Sequence, residues 1–387
     1  MKGTKVVISL FLMTVLTGCG KGNEDTSMIT IDIASEHPKK ELIVQDFMDV
    51  EYIPLETNND FITQGSVMDI GDKYILVKNR VNDGDIFVFD RKTGKGIRKI
   101  NRRGQGAEEY NYINGLILDE GNNEMFVNCA ATKKIYVYDL LGNFKRSFKH
   151  TEGSEYLNVY NLDKDHLICY DISLYYKEGQ PREEGKAYHT IISKQDGSIS
   201  ENIYIPFDVI KAPCVQKGEG IAVASVCPII PNQDKWLLVE TSIDTIFSYV
   251  PQENKLIPFL VKTPTEDPEI LLTMGAITDN YYFMHTVKKV FNFTTGRGFY
   301  VNDLMYDKQE NTVYEAKVLN GDFVKKQNVD MTSNPINNNG IAAIQTLAAN
   351  QLVEAYMNDE LKGRLKEITA ELDEESNPVI MLVKYKN

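Results

Sequence analysis

The sequence predicts an all-β protein, a six-bladed β-propeller closed by strands from the N- and C-terminal ends, with a short helical insertion before the last strand. Three observations predict it. A strand–turn–strand pattern recurs five times at a near-constant spacing, apolar strand candidates stand at both ends of the mature chain, and helical periodicity is confined to one late stretch.

In chain order the first element is an export signal. Lys2 and Lys5 precede the apolar run Val6 to Val15, which is too short for a helix to span a hydrocarbon core of about 30 Å and has the length of a signal-peptide core. Leu16-Thr17-Gly18-Cys19 follows, and it resembles the bacterial lipobox, whose small residues admit the peptidase and whose cysteine sulfur takes the lipid. The expectation is a signal peptide over 1–18, a lipidated Cys19 and a polar tether over 19–40. Residues 41–387 then form the propeller. Several acyl chains on one cysteine anchor firmly, at about 0.8 kcal/mol per buried CH₂.

The repeat comes next. Ile86 to Asp90 leads through Thr93-Gly94 to Ile97–Ile100, and Ile135 to Asp139 leads through Gly142-Asn143 to Phe144–Phe148. Thr190 to Lys194, Thr245 to Val250 and Asp303 to Asp307 begin three further copies, with turns at Asp196-Gly197, Glu253-Asn254 and Glu310-Asn311. Alternating apolar residues mark strands, and Gly or Asn supplies the positive φ that tight hairpins need. Positions 90, 139, 194, 250 and 307 are equivalent, at spacings of 49, 55, 56 and 57. A period of this length with several strands per unit means propeller blades. A further strand candidate precedes each hairpin, after polar turns such as Gly71-Asp72-Lys73, Gly121-Asn122-Asn123 and Asp163-Lys164-Asp165. The sixth blade is assembled from Asp49–Leu55 and Val379–Tyr385, because a closed ring leaves no exposed sheet edge.

The helical insertion is expected over about 340–373. Ile341–Met357 and Leu361–Leu372 both read as helices, and Leu361, Leu365, Ile368 and Leu372 make one apolar stripe. The stripe is expected to pack on the ring. Asn377-Pro378 stops the second helix.

Four places carry a family resemblance: Val50 to Thr57, Phe87 to Asp90 with Gly94-Lys95, the loop Gly104 to Tyr110, and Asn377 to Ile380. In these the chain resembles the six-bladed β-propeller lipoproteins of Gram-negative gut anaerobes, which are distantly similar to NHL-repeat propellers. The likeness covers about residues 45–387. It departs at Ala107, where the family usually has Pro. It implies the fold and surface lipoprotein status, and it brings no established catalytic residues.

Charge and motifs narrow the function. The formal net charge is −13, and loss of residues 1–18 removes Lys2 and Lys5 only. So acidic a chain lacks the basic face that nucleic acid requires. No phosphate-binding loop, nucleophile elbow or zinc-protease signature occurs, and Gly104-x-Gly106 lacks the third glycine of a dinucleotide fingerprint. No cofactor and no metal are expected. Of the remaining cysteines, Cys214 and Cys227 bracket a hairpin-like segment and are the best candidates for a disulfide, against the reading that all four are small buried hydrophobes.

The ligand-binding candidates are Arg102, Arg103, Gln105, Glu108, Glu109 and Tyr110, in a loop between the first two repeats, and Tyr282 and His285, in a later aromatic and basic stretch that runs on through Lys288, Lys289 and Arg297. Arg offers forked donors to carboxylates or sugar hydroxyls, and exposed Tyr stacks on sugar rings. The competing readings are a structural crossover loop and ordinary sheet packing. The expected function is that of an outer-membrane lipoprotein, at the cell surface or periplasmic face, that binds a glycan, a peptide or an envelope protein across one channel face. The alternative is a secreted carbohydrate-active hydrolase or lyase. It would need carboxyls converging at a channel mouth, roughly 5–9.5 Å apart for a glycosidase.

Overall fold

The repeat hairpins form strands whose two faces are both buried. Ile86, Phe87, Val88 and Phe89 are each at most 1% exposed. Phe87 and Phe89 pack toward Ile380 and Leu382, while Ile86 and Val88 pack toward Leu116, Leu118 and Tyr138. Each sheet is thus sandwiched between its two neighbours, which is why the strands are richer in apolar residues than a half-buried strand requires. The computed structural model describes residues 28–332 and 335–386. The expected signal segment and Cys19 lie outside the described residues.

The architecture is a six-bladed β-propeller. Blade one is Ser66–Ile70, Tyr74–Lys78, Asp85–Asp90 and Gly96–Asn101. Blade two is Gly115–Asp119, Glu124–Cys129, Lys134–Asp139 and Phe144–Lys149. Blade three is Tyr156–Asn161, His166–Asp171, His189–Ser193 and Ile199–Ile203. Blade four comprises Ile229–Asn232, Lys235–Leu238, Thr245–Val250 and Lys255–Lys262. Blade five comprises Ile270–Ile277, Tyr281–Lys288, Val301–Asp307 and Thr312–Asn320. In all five the strands are antiparallel neighbours in chain order, running from the ring axis outward.

Blade six joins the chain ends as expected: Asp49–Pro54 pairs antiparallel with Val379–Lys384, from Asp49↔Lys384 to Pro54↔Val379. Its third strand, Ile341–Leu347, corrects the sequence reading, which put a helix there. Thr346 Oγ1 donates to Gly65 O at 2.8 Å, and Asn338 Nδ2 to Ile70 O at 3.3 Å, so this strand runs opposite to Ser66–Ile70 beside it. The helices are shorter than expected, Ala349–Met357 and Gly363–Thr369. Their apolar stripe packs as anticipated, with Leu361, Leu365 and Ile368 buried in one cluster with Val379, Met381 and Val383.

The expected tether, 19–40, is also corrected within its described part. Ile29–Ile31 adds a parallel strand to the outer edge of blade four, and Lys39–Ile43 does the same on blade five. Asp49–Pro54 then supplies the outer strand of blade six. The N-terminal arm is a belt around half the ring.

The two candidate cysteines are unpaired. Cys214 opens the hairpin Cys214–Lys217 with Gly220–Val223, where its cross-strand partner is Val223. Cys227 lies beyond the hairpin, its N–H donating to Thr273 Oγ1 at 3.1 Å. All four described cysteines are free thiols.

Candidate functional site

Each of blades one to four turns between its first and second strands at the same end of the ring. These turns, together with Asn337–Gly340 from the approach to blade six, surround a cavity of about 880 Å³. It is the open mouth of the propeller axis. Its lining includes five carboxylates, Asp69, Asp72, Glu120, Asp163 and Asp234, and several amides, with no Lys, Arg or His among the described residues.

Most of these carboxylates hold the rim together. Glu120 of blade two accepts the N–H groups of Lys73 and Tyr74 at 2.9 Å and of Asp72 at 3.2 Å, so it caps the turn of blade one. Gly71 leaves room for this carboxylate, since a Cβ there would fall 2.3 Å from Glu120 Oε1 and displace it. Asp163 accepts the N–H groups of Asp165 and His166, both at 2.8 Å. Asp69 is buried, and its two oxygens accept Ile70 N–H at 2.9 Å and Leu118 N–H at 2.8 Å. Burial pushes its carboxyl up to about 7, with the charge of Glu120 adding, against the pull of the two N–H groups. It sits where a proton donor could, but both oxygens are committed to backbone.

Asp72 and Asp234 are exposed, and their carboxylates make no hydrogen bond among the described residues. They belong to blades one and four, three places apart in the ring. At the back of the mouth, Asn161 Oδ1 is buried with no donor among the described residues. The loop of blade six crosses to meet it, Asn337 Nδ2 donating to Asn161 O. Trp236, 5% exposed, forms part of the wall beside Tyr160. Carboxylates do converge at the mouth, as a hydrolase would need. Their bonding makes the mouth a surface of hydrogen-bond acceptors and leaves no adjacent pair of free carboxyls. Among the described residues no group of three or more His, Cys, Asp or Glu could hold a metal.

The opposite mouth is covered. The insertion after His166–Asp171 reaches the hairpin at 214–223, with Cys214 Sγ donating to Tyr175 O at 3.2 Å. Lys289 of blade five ties to Glu178 of that insertion at 2.8 Å and to Glu269 at 2.9 Å.

The sequence-derived candidates lie away from the open mouth. The loop 102–110 sits beside the 79–84 loop of blade one, at the far end of the strands, and most of its contacts are internal. Tyr110 is fully buried, its hydroxyl donating to Gly84 O at 2.7 Å and accepting from Arg102 N–H at 3.1 Å. Arg102 Nε donates to Gly142 O at 2.9 Å, tying the loop to blade two. Glu109 accepts Gly106 N–H at 2.8 Å, and Tyr138 donates to Glu108 O at 2.6 Å. Arg103 and Gln105 are exposed. Tyr282 is wedged between blades four and five, against Phe259 at 5.2 Å and Tyr306 at 5.8 Å. His285 faces Thr332 Oγ1 at 2.9 Å, and burial lowers its basicity. The sequence shows the turns of the open mouth only as polar segments recurring at one phase of the repeat, and none of their residues stood among the candidates.

Fold and site together define a six-bladed propeller with one covered mouth and one open, acceptor-lined mouth. The chain belongs to the DUF5128 family of six-bladed beta-propellers, whose model matches residues 20–343. Among solved structures it is similar to a Bacteroides fragilis protein named as exported. That likeness has a TM-score of 0.62 at 13% identity and covers 93% of this chain and 99% of that one. A DUF4221 family member from Bacteroides vulgatus aligns at a TM-score of 0.47 and 9% identity, over 88% of this chain and 98% of that one. At 13% identity the likeness to the Bacteroides fragilis protein is one of fold. No curated protein matches the sequence.

Proposed function

We propose that this is an exported, lipid-anchored binding protein whose open channel mouth takes a hydrogen-bond-donating ligand, a glycan or a basic peptide segment of an envelope partner. The lipobox-like Leu16 to Cys19 and the exported Bacteroides fragilis relative support the address, on the outer membrane. The observation that carries the binding reading is the lining of the mouth: carboxylates and amides from several blades, an unused acceptor on Asn161 and, among the described residues, no cationic side chain. Such a surface fits hydroxyls or ammonium groups and repels anions. The hydrolase reading has less support, because Asp69, Glu120 and Asp163 are engaged with backbone N–H groups.

The test is a glycan array with a parallel envelope pull-down on residues 20–387, repeated with Asp72→Ala/Asp234→Ala. A ligand whose binding falls about tenfold in the double variant, a loss of about 1.4 kcal/mol, is the expected result. Ligands bound equally by both proteins, or only anionic ligands, would overturn the reading.

A further inference from the structure

The covered face carries a feature that ligand binding at the other mouth leaves unused. Two hairpins project from it, Cys214–Lys217 with Gly220–Val223 before blade four, and Phe291–Asn292 with Arg297–Gly298 within blade five. They touch: the Phe293 ring stands where a Cβ on Gly220 would be 3.1 Å from it. Inside the second hairpin Phe291 packs edge-on to Phe293 at 5.0 Å and against Phe299 at 5.3 Å. Outside, apolar groups face solvent. Tyr300 is 65% exposed, Val301 56%, Val223 48% and Val290 41%. Large exposed apolar side chains gathered on two touching hairpins mark a place of contact.

The charge of the second hairpin runs against the rest of the molecule, while the tip of the first carries Lys217 beside Glu219. From Thr286 to Val301 the chain carries Lys288, Lys289 and Arg297 and no carboxylate, within a protein of net charge −13. Lys289 is spent on Glu178 and Glu269, while Lys288 and Arg297 are exposed. Exposed aromatic and aliphatic side chains flanked by free cations suit a lipid surface with anionic headgroups.

The anchored end of the chain arrives in the same sector. Ile29 pairs with Leu260 on the outer strand of blade four, and the hairpins rise from the entry to blade four and from blade five. Cys19 precedes Met28 by nine residues, which can reach at most about 30 Å. A lipid on Cys19 is therefore held within reach of this sector of the ring, where Ile29–Ile31 runs parallel to Leu260–Lys262 toward the covered face.

We infer that the two hairpins dock on an anionic lipid surface, laying the covered face on the membrane and turning the open mouth away from it. The inference rests in part on the lipid anchor proposed above, but the docking contact is made by the ring itself. It is tested on residues 20–387 without lipid, which contain every strand of the ring, so failure of the anchor and failure of docking are separable. Flotation is measured with phosphatidylethanolamine vesicles containing phosphatidylglycerol, and with phosphatidylcholine vesicles. The expected result is binding to the first, weakened by salt and by Arg297→Glu. It should fall about tenfold in Ile221→Ser/Val290→Ser/Tyr300→Ser with an unchanged thermal melt, because all three side chains are exposed. Absence of flotation, or flotation equal in the triple variant, overturns the inference. So does a dimer in sedimentation that the triple variant abolishes, since the patch would then belong to a second copy.

Discussion

Blades one to three and blades four to six reach similar sheets by different routes. Blades one to three are meanders: four consecutive strands, each paired with the next in sequence. Blades four to six each take an outermost strand from the N-terminal arm, at Ile29–Ile31, Lys39–Ile43 and Asp49–Pro54. The arm's partners are more than 200 residues distant, from Leu260 to Lys384. One half of the ring is therefore assembled locally, and the other is complete only when the chain's first described residues come back to it. Local contacts form cheaply in loop entropy, whereas the arm's contacts close very long loops, so the second half should form last and depend most on the arm.

The strongest way to break this contrast is to remove the arm. A chain starting at Leu55 loses all three outer strands and leaves blade six as two strands with an open edge. We expect loss of cooperative unfolding and aggregation through that edge. A chain starting at Val44 keeps the closing strand. It should remain soluble and melt in one transition at a lower temperature. Circular dichroism melts and size-exclusion profiles of the two truncations check this. A wild-type melt from the chain starting at Leu55 would show that the arm decorates a ring already closed.

A smaller effect probes how the local half is tied together. Lys194, at the outer turn of blade three, reaches Asp119 of blade two at 2.5 Å, and both residues are 3% exposed. Its ammonium also donates to Asp163 O at 2.5 Å, next to the open mouth. In the arm the corresponding tie is Lys40 to Asp307, at 2.8 Å, with the lysine about a quarter exposed. Asp119→Ala strands a buried ammonium and should cost about 3–5 kcal/mol in urea unfolding, while Lys40→Ala should cost about 1 kcal/mol. Lys194→Met in the Asp119→Ala background should recover more than half of the loss, since no buried charge is left unpaired. Equal losses for Asp119→Ala and Lys40→Ala would erase the distinction between the halves.

The same contrast explains what could be read from sequence. The five hairpins of blades one to five were legible because each places its strand pattern and its turn within about 20 residues. Ile29–Ile31 and Lys39–Ile43 are too short to show a period, and they become strands only because the edges of blades four and five await them. Ile341–Leu347 read as helix because Ala342, Ala343 and the leucine that follows suit either state. Its partners, Val379–Lys384, decide in favour of strand. The loop around Tyr110 drew attention through its glycines and charges, yet its hydrogen bonds are mostly to itself and to adjacent turns. The mouth could not be recognised residue by residue, since each turn contributes one or two polar groups and only closure of the ring collects them.

The finest distinction lies in buried titratable groups within the local half and at its seam with blade four. Burial pushes Glu240, at the edge of blade four facing Tyr170 of blade three, up to about 7, and it holds His150 and His189 down at about 4. These act in opposite directions on stability. An unfolded Glu ionises near 4.5, so between about 4.5 and 7 the folded state binds the extra proton, and stability falls as pH rises. An unfolded His takes its proton near 6.5, so between about 6.5 and 4 the unfolded state binds the extra proton, and stability falls as pH falls. Over the shared window Glu240 offsets about one of the two histidines, so it reduces the slope without cancelling it. Glu240→Gln removes one side of the balance. The amide can still accept from Ser242, whose N–H and hydroxyl bond Oε1 at 3.2 and 2.9 Å. The variant should therefore gain on the wild type by on the order of 1–3 kcal/mol between pH 4.5 and 7.5. Urea unfolding of both proteins at those two values measures it. An equal difference at both would mean that Glu240 is ionised throughout, held by Ser242 and Tyr170 more strongly than burial opposes.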